Sequence, residues 1–318
     1  MAGLMPDSLS TRLPLSRSAV DRDYLSRSKP GLLDELRADI ASRALLLSRG
    51  QALLASTDPA ELRLVGIADI PQADTMVYLG RIAEGDLAGS PVLAAVLTDE
   101  QADAIDADRG HWGDLRRIGA DLSALDAGLF TQALAITNFH ASHAFSPRTG
   151  EATVLAKGGW VRHPDGHDEE SGGQHIFPRT DPAVIVGVID EQDRILLGAN
   201  ALWGGDRYSL LAGFVEPGES LEAAVIREIE EEAGIVVIDP QYLGSQPWPF
   251  PASIMIGFLA KLAPDSPPAV PDGDEIVDLR WFSREDLRDG VRTIGIPGRS
   301  SIARAIIEQW FGGPLDSP

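Results

Sequence analysis

Residues 213–235 read GFVEPGESLEAAVIREIEEEAGI and decide how the rest of the chain is interpreted. Ser220 stands where a helix N-cap belongs, and Gly234 stands where that helix would end. Apolar residues recur between them at helical spacing and predict the buried face of an amphipathic helix: Leu221, Ala224, Val225, Ile226 and Ile229. The stretch therefore predicts a loop followed by a capped helix.

Acidic residues crowd the end of this predicted helix. Glu228, Glu231 and Glu232 are related by i, i+3 and i+4, so they project from one face. Like charges repel, and a purely structural helix gains nothing from them. A divalent cation bound by carboxylate oxygens reverses the sign of that interaction. The alternative interpretation is a solvated acidic face, which is common in a chain this acidic.

The wider spacing favours the cation site. The pattern G-x5-E-x7-R-E-U-x-E-E-x-G-U, in which U is apolar, is met at every specified position, beginning with Gly213, Glu219 and Arg227. The stretch therefore resembles the Nudix box of the Nudix hydrolases. This resemblance implies that Mg²⁺ or Mn²⁺ is held against a diphosphate. It also implies catalytic roles for five residues. Glu228, Glu231 and Glu232 would be metal ligands or the general base. Arg227 and Glu219 would brace the loop against the helix.

Composition excludes several classes of function. The 318 residues carry 27 basic and 48 acidic side chains and a net charge of −21, which argues against a broad binding surface for long nucleic acid. The chain has no cysteine, so disulfides and thiolate chemistry are excluded. The N-terminus lacks the apolar core of a signal peptide, and no run approaches the ~18 apolar residues of a membrane span. We expect a soluble, cytoplasmic protein.

The patterns divide the chain into three segments. Residues 1–135 predict an N-terminal α+β domain, residues 136–178 a short linker, and residues 179–318 an α/β domain around the box. In the first, residues 34–50 predict a helix that passes into a strand at 52–55, and we find no catalytic constellation. Residues 126–142 predict a further helix. In the third, the predicted elements fit an α/β/α sandwich with a mixed sheet: strands at 183–189, 194–197, 253–260 and 276–282, and helices from 283 and over 299–311.

The linker holds five of the six histidines, which are His140, His143, His163, His167 and His175. They indicate either a zinc site or a hairpin-like linker with exposed histidines, and a structural zinc site of histidines alone is unusual. Gly158-Gly159-Trp160 and Phe177-Pro178-Arg179 resemble the frame of the four-cysteine zinc ribbon found in NADH pyrophosphatases, a branch of the Nudix family. Ser146 and Thr149 stand at its first cysteine pair, so this is a degenerate zinc-ribbon-like segment. Structural Zn²⁺ is not expected.

A second motif follows the box. Residues 245–253 read SQPWPFPAS, in which three prolines make a stiff loop that sets the faces of Trp248 and Phe250. An adenine or nicotinamide ring would stack there. Alternatively, the aromatic rings cover the core. The motif is similar to the signature of the NADH pyrophosphatase subgroup, and the resemblance covers about residues 130–318.

This resemblance implies hydrolysis of the diphosphate of NADH, and less readily of NAD⁺, to nicotinamide mononucleotide and AMP. The same chemistry removes NAD caps from RNA 5′ ends. Glu275 is the implied fourth metal ligand, with Asp274 as the neighbouring alternative. The implied substrate-binding residues are Phe177 and Phe214, which would sandwich the nicotinamide, and Gln246, Trp248, Phe250, Ser253, Met255 and Ala303. A homodimer is implied, in which Phe177 acts on the partner subunit.

Three other functions stay open on the sequence. The main substrate could be NAD-capped RNA, although the acidic composition argues mildly against it. The chain could be a nucleotide-binding module without activity, against which the intact acids of the box count. It could also hydrolyse another nucleoside diphosphate.

Overall fold

The computed structural model describes residues 9, 12–71, 73–166, 174–203, 207–290 and 294–315. The chain forms two compact units. The N-terminal unit contains Arg17–Thr180 together with Trp248–Ala252, and the C-terminal unit contains the described parts of Met1–Ser16, Asp181–Pro247 and Ser253–Pro318. His167 lies outside the described residues, and the predicted boundaries near 135 and 178 stay predictions.

The N-terminal unit is built on an eight-stranded mixed sheet in the order β1-β6-β7-β2-β3-β4, with β5 on β2 and β8 on β3. The only parallel pairing described in it joins β2 and β7. Its strands are β1 Val20–Asp21, β2 Arg43–Ser48, β3 Gln51–Thr57, β4 Ala60–Leu62, β5 Leu64–Gly66, β6 Thr75–Ile82, β7 Pro91–Val96 and β8 Trp112–Asp114, followed by a separate hairpin of β9 Thr153–Ala156 and β10 Val161–Pro164. Its helices are α1 Leu32–Ala38, α2 Asp99–Ile105, α3 Leu115–Ile118 and α4 Ala124–Ser142.

One helix of this unit is shorter than predicted. Helix α1 ends at Ala38, and the run Ala44–Leu47, which the sequence pattern assigned to the helix, forms the buried strand β2. A short continuous apolar run suits a buried helix and a buried strand equally, so its periodicity does not decide between them. Helix α4 is confirmed. Ser123 caps it, since its hydroxyl accepts a hydrogen bond from the amide of Asp126.

The ribbon-like segment is joined to α4 by buried polar contacts. Arg162 donates through Nε to Thr153 Oγ1 at 2.6 Å and through Nη1 to Nδ1 of His140 at 3.1 Å. Because Nδ1 accepts, the imidazole of His140 carries its proton on Nε2 and donates it to the carbonyl of Gly159 at 2.7 Å. Ser146 Oγ accepts from the amides of Arg148 and Thr149, each at 3.3 Å. The hydroxyl of Ser146 therefore stabilises a turn at this position, and the absence of structural Zn²⁺ stays a prediction.

The C-terminal unit contains a mixed sheet, as predicted, and its six strands have the order β14-β15-β11-β12-β16 with β13 on β11. Strands β11 and β15 run parallel and pair along nine residues. The strands are β11 Asp181–Ile189, β12 Ile195–Asn200, β13 Leu211–Phe214, β14 Val237–Trp248, β15 Ser253–Leu262 and β16 Ile276–Phe282. The helices are α5 Leu221–Ala233, α6 Arg284–Gly290 and α7 Ile302–Phe311.

Alternating residues of β11 separate the two faces of this sheet. Val184 and Val186 lie in one apolar cluster with Val225 of α5. Ile185 lies in another with Ile306 of α7. Side chains alternate along a strand, so α5 and α7 cover opposite faces and form the predicted α/β/α sandwich.

Helix α5 has the predicted caps. Ser220 Oγ accepts from the amide of Ala223 at 3.1 Å, and Gly234 ends the helix with a left-handed φ of 66°. The prediction that Ile226 belongs to the buried face is wrong, because Ile226 is 39% exposed. Among the helices of the described residues, none combines the length and the apolar character that a membrane span needs.

Candidate active site

Helix α5 places its three predicted site glutamates in three environments. Glu232 is only 5% exposed, the side chain of Glu228 is 12% exposed, and that of Glu231 is 59% exposed. The i, i+3, i+4 spacing thus brings the residues to one side of the helix, but only two of the carboxylates turn toward the sheet. Burial of two like charges on adjacent turns is costly unless something positive offsets them.

The box glycine makes room for one of these carboxylates. A Cβ atom built on Gly213 would lie 2.0 Å from the carboxyl carbon of Glu228 and 2.1 Å from its Oε2. No side chain fits there, so strand β13 passes directly beneath the Glu228 carboxylate. The sequence pattern requires glycine at this position because a side chain would collide with Glu228, and not because of the backbone conformation.

Arg227 connects the loop before α5 to the helix and to β13. It donates to both oxygens of Glu219, at 2.5 Å from Nη2 and 3.2 Å from Nε. Its Nη1 donates to Glu228 and to Glu231, each at 2.9 Å. Its Nη2 also donates to the carbonyl of Phe214 at 3.0 Å. Charge-assisted bidentate pairs of this kind fix geometry well, and the bond to Arg227 lowers the pKa of Glu219.

Among the acids of the site, Glu232 has the most strongly shifted pKa. Its Oε2 is buried and has no hydrogen-bond partner. Burial, followed by the charges of Glu275 and Glu228, raises the pKa of Glu232 to about 8. Burial also raises the pKa of Glu228, against the opposing effect of Arg227. Three carboxylates therefore repel one another across a shared region, and the Glu232 Oε2 atom is available to a positively charged ligand.

These residues fit a divalent cation. The donors are carboxylate oxygens, which hard cations such as Mg²⁺ prefer, and Glu232 has an oxygen to spare. Within the described residues, no three acidic or imidazole side chains already converge as a cation site. Glu231 instead pairs with Arg227. The ligand roles of Glu228, Glu231, Glu232 and Glu275 stay predictions.

Glu275 is held by three residues that the sequence patterns did not single out. Asn200 Nδ2 donates to Oε1 of Glu275 at 3.2 Å, and the amide of Ala201 donates to its carbonyl at 2.8 Å. Asp272 Oδ1 accepts from the amides of Asp274 and Glu275 at 2.6 and 2.8 Å. The Asp272-Gly273 pair is a recognisable turn signal, whereas nothing local in the sequence indicates Asn200.

The expected substrate-binding residues of the C-terminal unit divide into two groups. Met255 and Phe214 pair with the two sides of Ala183, so the three side chains share one face of the sheet, and Phe214 is 60% exposed. Ser253, on the same strand as Met255, is half-buried. These positions suit a ligand.

Gln246 and Ala303 have structural roles. Gln246 is fully buried; its Oε1 accepts from the amide of Leu15 at 3.2 Å and its Nε2 donates to the carbonyl of Ser300 at 3.0 Å. The amide of Ala303 donates to Ser301 Oγ, which caps α7. Their polar groups are used inside the unit, and their roles in substrate binding stay predictions.

The remaining aromatic residues belong to the N-terminal unit. Phe177 is 64% exposed, and its ring meets that of His175 edge-on at 5.9 Å. The rings of Trp248 and Phe250 also meet edge-on, with centroids 4.9 Å apart. Both are half-buried, and each therefore has ring surface available for stacking.

Comparisons with known proteins agree with this architecture. The model of the Nudix domain matches residues 178–304, and that of the NADH pyrophosphatase-like rudimentary Nudix domain matches residues 41–138. The NAD-capped RNA hydrolase NudC of Mycobacterium bovis (strain BCG / Pasteur 1173P2) is 40% identical over 291 residues, which cover 86% of this chain and 85% of that protein. NudC of Mycobacterium tuberculosis (strain ATCC 25177 / H37Ra) is 39% identical over the same shares.

A human relative matches a shorter part. The NAD-capped RNA hydrolase NUDT12 of Homo sapiens is 41% identical over 200 residues, which cover 60% of this chain and 43% of that protein. The fold and the site define a Nudix hydrolase, a class of enzymes that use divalent metal ions. Within that class, the chain belongs to the NudC, or NADH pyrophosphatase, family.

Proposed function

We propose that this enzyme hydrolyses the diphosphate of NADH and NAD⁺ to nicotinamide mononucleotide and AMP. Removal of NAD caps from RNA 5′ ends is the second candidate function, favoured by the names of relatives that match most of the chain. The observation that carries the proposal is the buried carboxylate of Glu232, whose Oε2 has no hydrogen-bond partner and which lies within the field of Glu228 and Glu275.

We propose Mg²⁺ or Mn²⁺ as the metal, held by Glu228, Glu232 and Glu275 with Glu231 beside them. When bound, such an ion neutralises the charge of the diphosphate and acidifies water. Glu231 is the more accessible of the two candidates for the general base, since its side chain is 59% exposed whereas Glu232 is buried.

The other residues of the box have positioning roles in this proposal. Arg227 and Glu219 hold the loop against the helix through their paired hydrogen bonds. Gly213 lets the Glu228 carboxylate lie against β13. Hydrolysis of a diphosphate needs no covalent intermediate with the protein. Accurate placement of the charged groups therefore accounts for most of the catalysis.

We further propose that the dinucleotide contacts six residues, four aromatic and two on β15: Phe177, Phe214, Trp248, Phe250, Ser253 and Met255. A cytoplasmic homodimer, in which Phe177 serves the partner's site, remains part of the proposal.

The test is a product assay with NADH, NAD⁺, ADP-ribose and NAD-capped RNA side by side, with and without Mg²⁺. We expect nicotinamide mononucleotide and AMP from NADH only when the metal is present. Glu232→Gln should abolish turnover, while Glu230→Gln, an exposed acid of the same helix, should not. Metal-independent turnover, or none on any of the four substrates, would refute the proposal.

A further inference from the structure

The loop Trp248–Ala252 has too few N–H donors to pair with its own backbone carbonyls. Prolines stand at 247, 249 and 251, and each lacks an N–H group. One bond closes within the loop, from the amide of Phe250 to the carbonyl of Trp248 at 2.7 Å. The carbonyls of Pro249 and Pro251 are therefore open to donors from elsewhere in the chain.

Asn138 of helix α4 supplies both donors. Its Nδ2 lies 3.0 Å from the carbonyl of Pro249 and 3.0 Å from that of Pro251. A carboxamide nitrogen carries two N–H groups, so one side chain binds both ends of the turn around Phe250. The partners are 111 and 113 residues apart in the sequence.

A second contact fixes the ring inside that turn. The guanidinium carbon of Arg116, on α3, lies 4.1 Å from the centroid of the Phe250 ring. Phe250 in turn packs edge-on against Trp248. The orientation of the Trp248 ring is thus coupled through Phe250 to α3 and α4, all within the N-terminal unit.

We propose that Asn138 and Arg116 are positioning residues for substrate selection: they fix the Trp248–Phe250 pair, and this pair contacts the nicotinamide ring of the dinucleotide. The inference rests on the proposed function, since the loop must contact a dinucleotide diphosphate. It assigns a task to the rudimentary Nudix domain, in which we find no catalytic constellation.

The variants are Asn138→Asp and Arg116→Met. The first keeps the size of the side chain but removes both donors and places carboxylate oxygens against carbonyl oxygens. The second keeps an unbranched stem without the charge. Thr137→Ala is the matched control on α4, because the hydroxyl of Thr137 bonds only to carbonyls of its own helix, at 2.8 and 3.2 Å. Arg116→Lys should rescue in part, since it keeps the charge.

The kinetic readout is kcat/KM for NADH relative to ADP-ribose, which shares the diphosphate but lacks the nicotinamide. We expect Asn138→Asp to lower this ratio about tenfold, the order of magnitude that the loss of one hydrogen bond carries. The loss should fall on KM for NADH, and the Mg²⁺ concentration at half-maximal rate should stay unchanged. Thr137→Ala should leave all three quantities unchanged.

A second readout does not require turnover. The protein is labelled with 5-fluorotryptophan, and the ¹⁹F resonance of Trp248 is assigned from Trp248→Phe. We expect this resonance to shift in Asn138→Asp and in Arg116→Met while the other resonances and the thermal midpoint stay in place. An unshifted resonance, or an unchanged substrate ratio, in folded Asn138→Asp overturns the inference. A wild-type enzyme inactive on every dinucleotide instead refutes the proposed function.

Discussion

Replacing Gly213 by alanine tests the active-site geometry most directly. The new methyl carbon would lie 2.0 Å from the carboxyl carbon of Glu228, against an ordinary contact of 3.4 Å or more. The carboxylate must therefore move by about 1.4 Å or the strand must shift. Position 213 has an ordinary φ, so alanine adds no backbone strain and the effect is steric.

The displacement predicts a loss of activity larger than the loss of stability. A misplacement of ~1 Å in a catalytic group costs about 10²-fold in rate, whereas overpacking one methyl group costs about 1–3 kcal/mol of folding free energy. We expect Gly213→Ala to remain folded and to hydrolyse NADH about 10²-fold more slowly. The assay is kcat/KM for NADH with thermal unfolding alongside.

Two further variants make the result specific. Gly298→Ala, in the same unit, meets no atom within 4 Å and should behave as wild type. Glu228→Asp shortens the side chain by one methylene and so relieves the clash. The double variant should therefore be no slower than Glu228→Asp alone, which is a strongly non-additive result. Full activity of Gly213→Ala, or additive losses, would contradict the contact between Gly213 and Glu228.

The remaining predictions concern pH, metal and the site acids. His140 has its pKa lowered from 6.5 to about 4 by burial, so its contribution to stability is fully present above pH 6.5 and is lost as the pH falls toward 4. This loss amounts to about 3 kcal/mol in urea unfolding, and His140→Gln should remove that pH dependence; an identical dependence in both proteins would contradict the neutral imidazole. Glu231→Gln should lower turnover by orders of magnitude at an unchanged thermal midpoint, and an unchanged rate would remove Glu231 from the mechanism. Elemental analysis of the purified chain should find no tightly held zinc, and about one zinc per chain would overturn that expectation.

The sequence predicted what is encoded locally. Helix α5 follows from its caps and its apolar spacing, because Ser220, Gly234 and the buried face lie within a few turns of one another. The assignment of Ala44–Leu47 failed since an apolar run without polar interruptions has no period to read. The acid cluster was predicted as a set, but its division into buried and paired carboxylates depends on Arg227 and Gly213 together.

Other parts of the site depend on long-range contacts and were not predictable. The motif around Trp248 was recognised, but Asn138 binds it from more than 100 residues away. Gln246 belongs to the same motif and serves packing, because its strand turns that amide into the core. Asn200 reaches Glu275 only when β12 and β16 pair. In each case, the partner is chosen by strand order or helix packing and not by nearby residues.

The end of β13 presents two adjacent residues to opposite sides of one sheet. Gly213 pairs with Val184 on the side of α5, and Phe214 pairs with Ala183 on the other. A single peptide bond therefore separates the residue that accommodates the chemistry from a residue proposed to recognise the base. Substitutions at position 214 can accordingly change which nucleotide is accepted without disturbing the residues that carry out hydrolysis. A one-residue shift in the register of this strand would instead exchange the faces of Gly213 and Phe214 and abolish both roles.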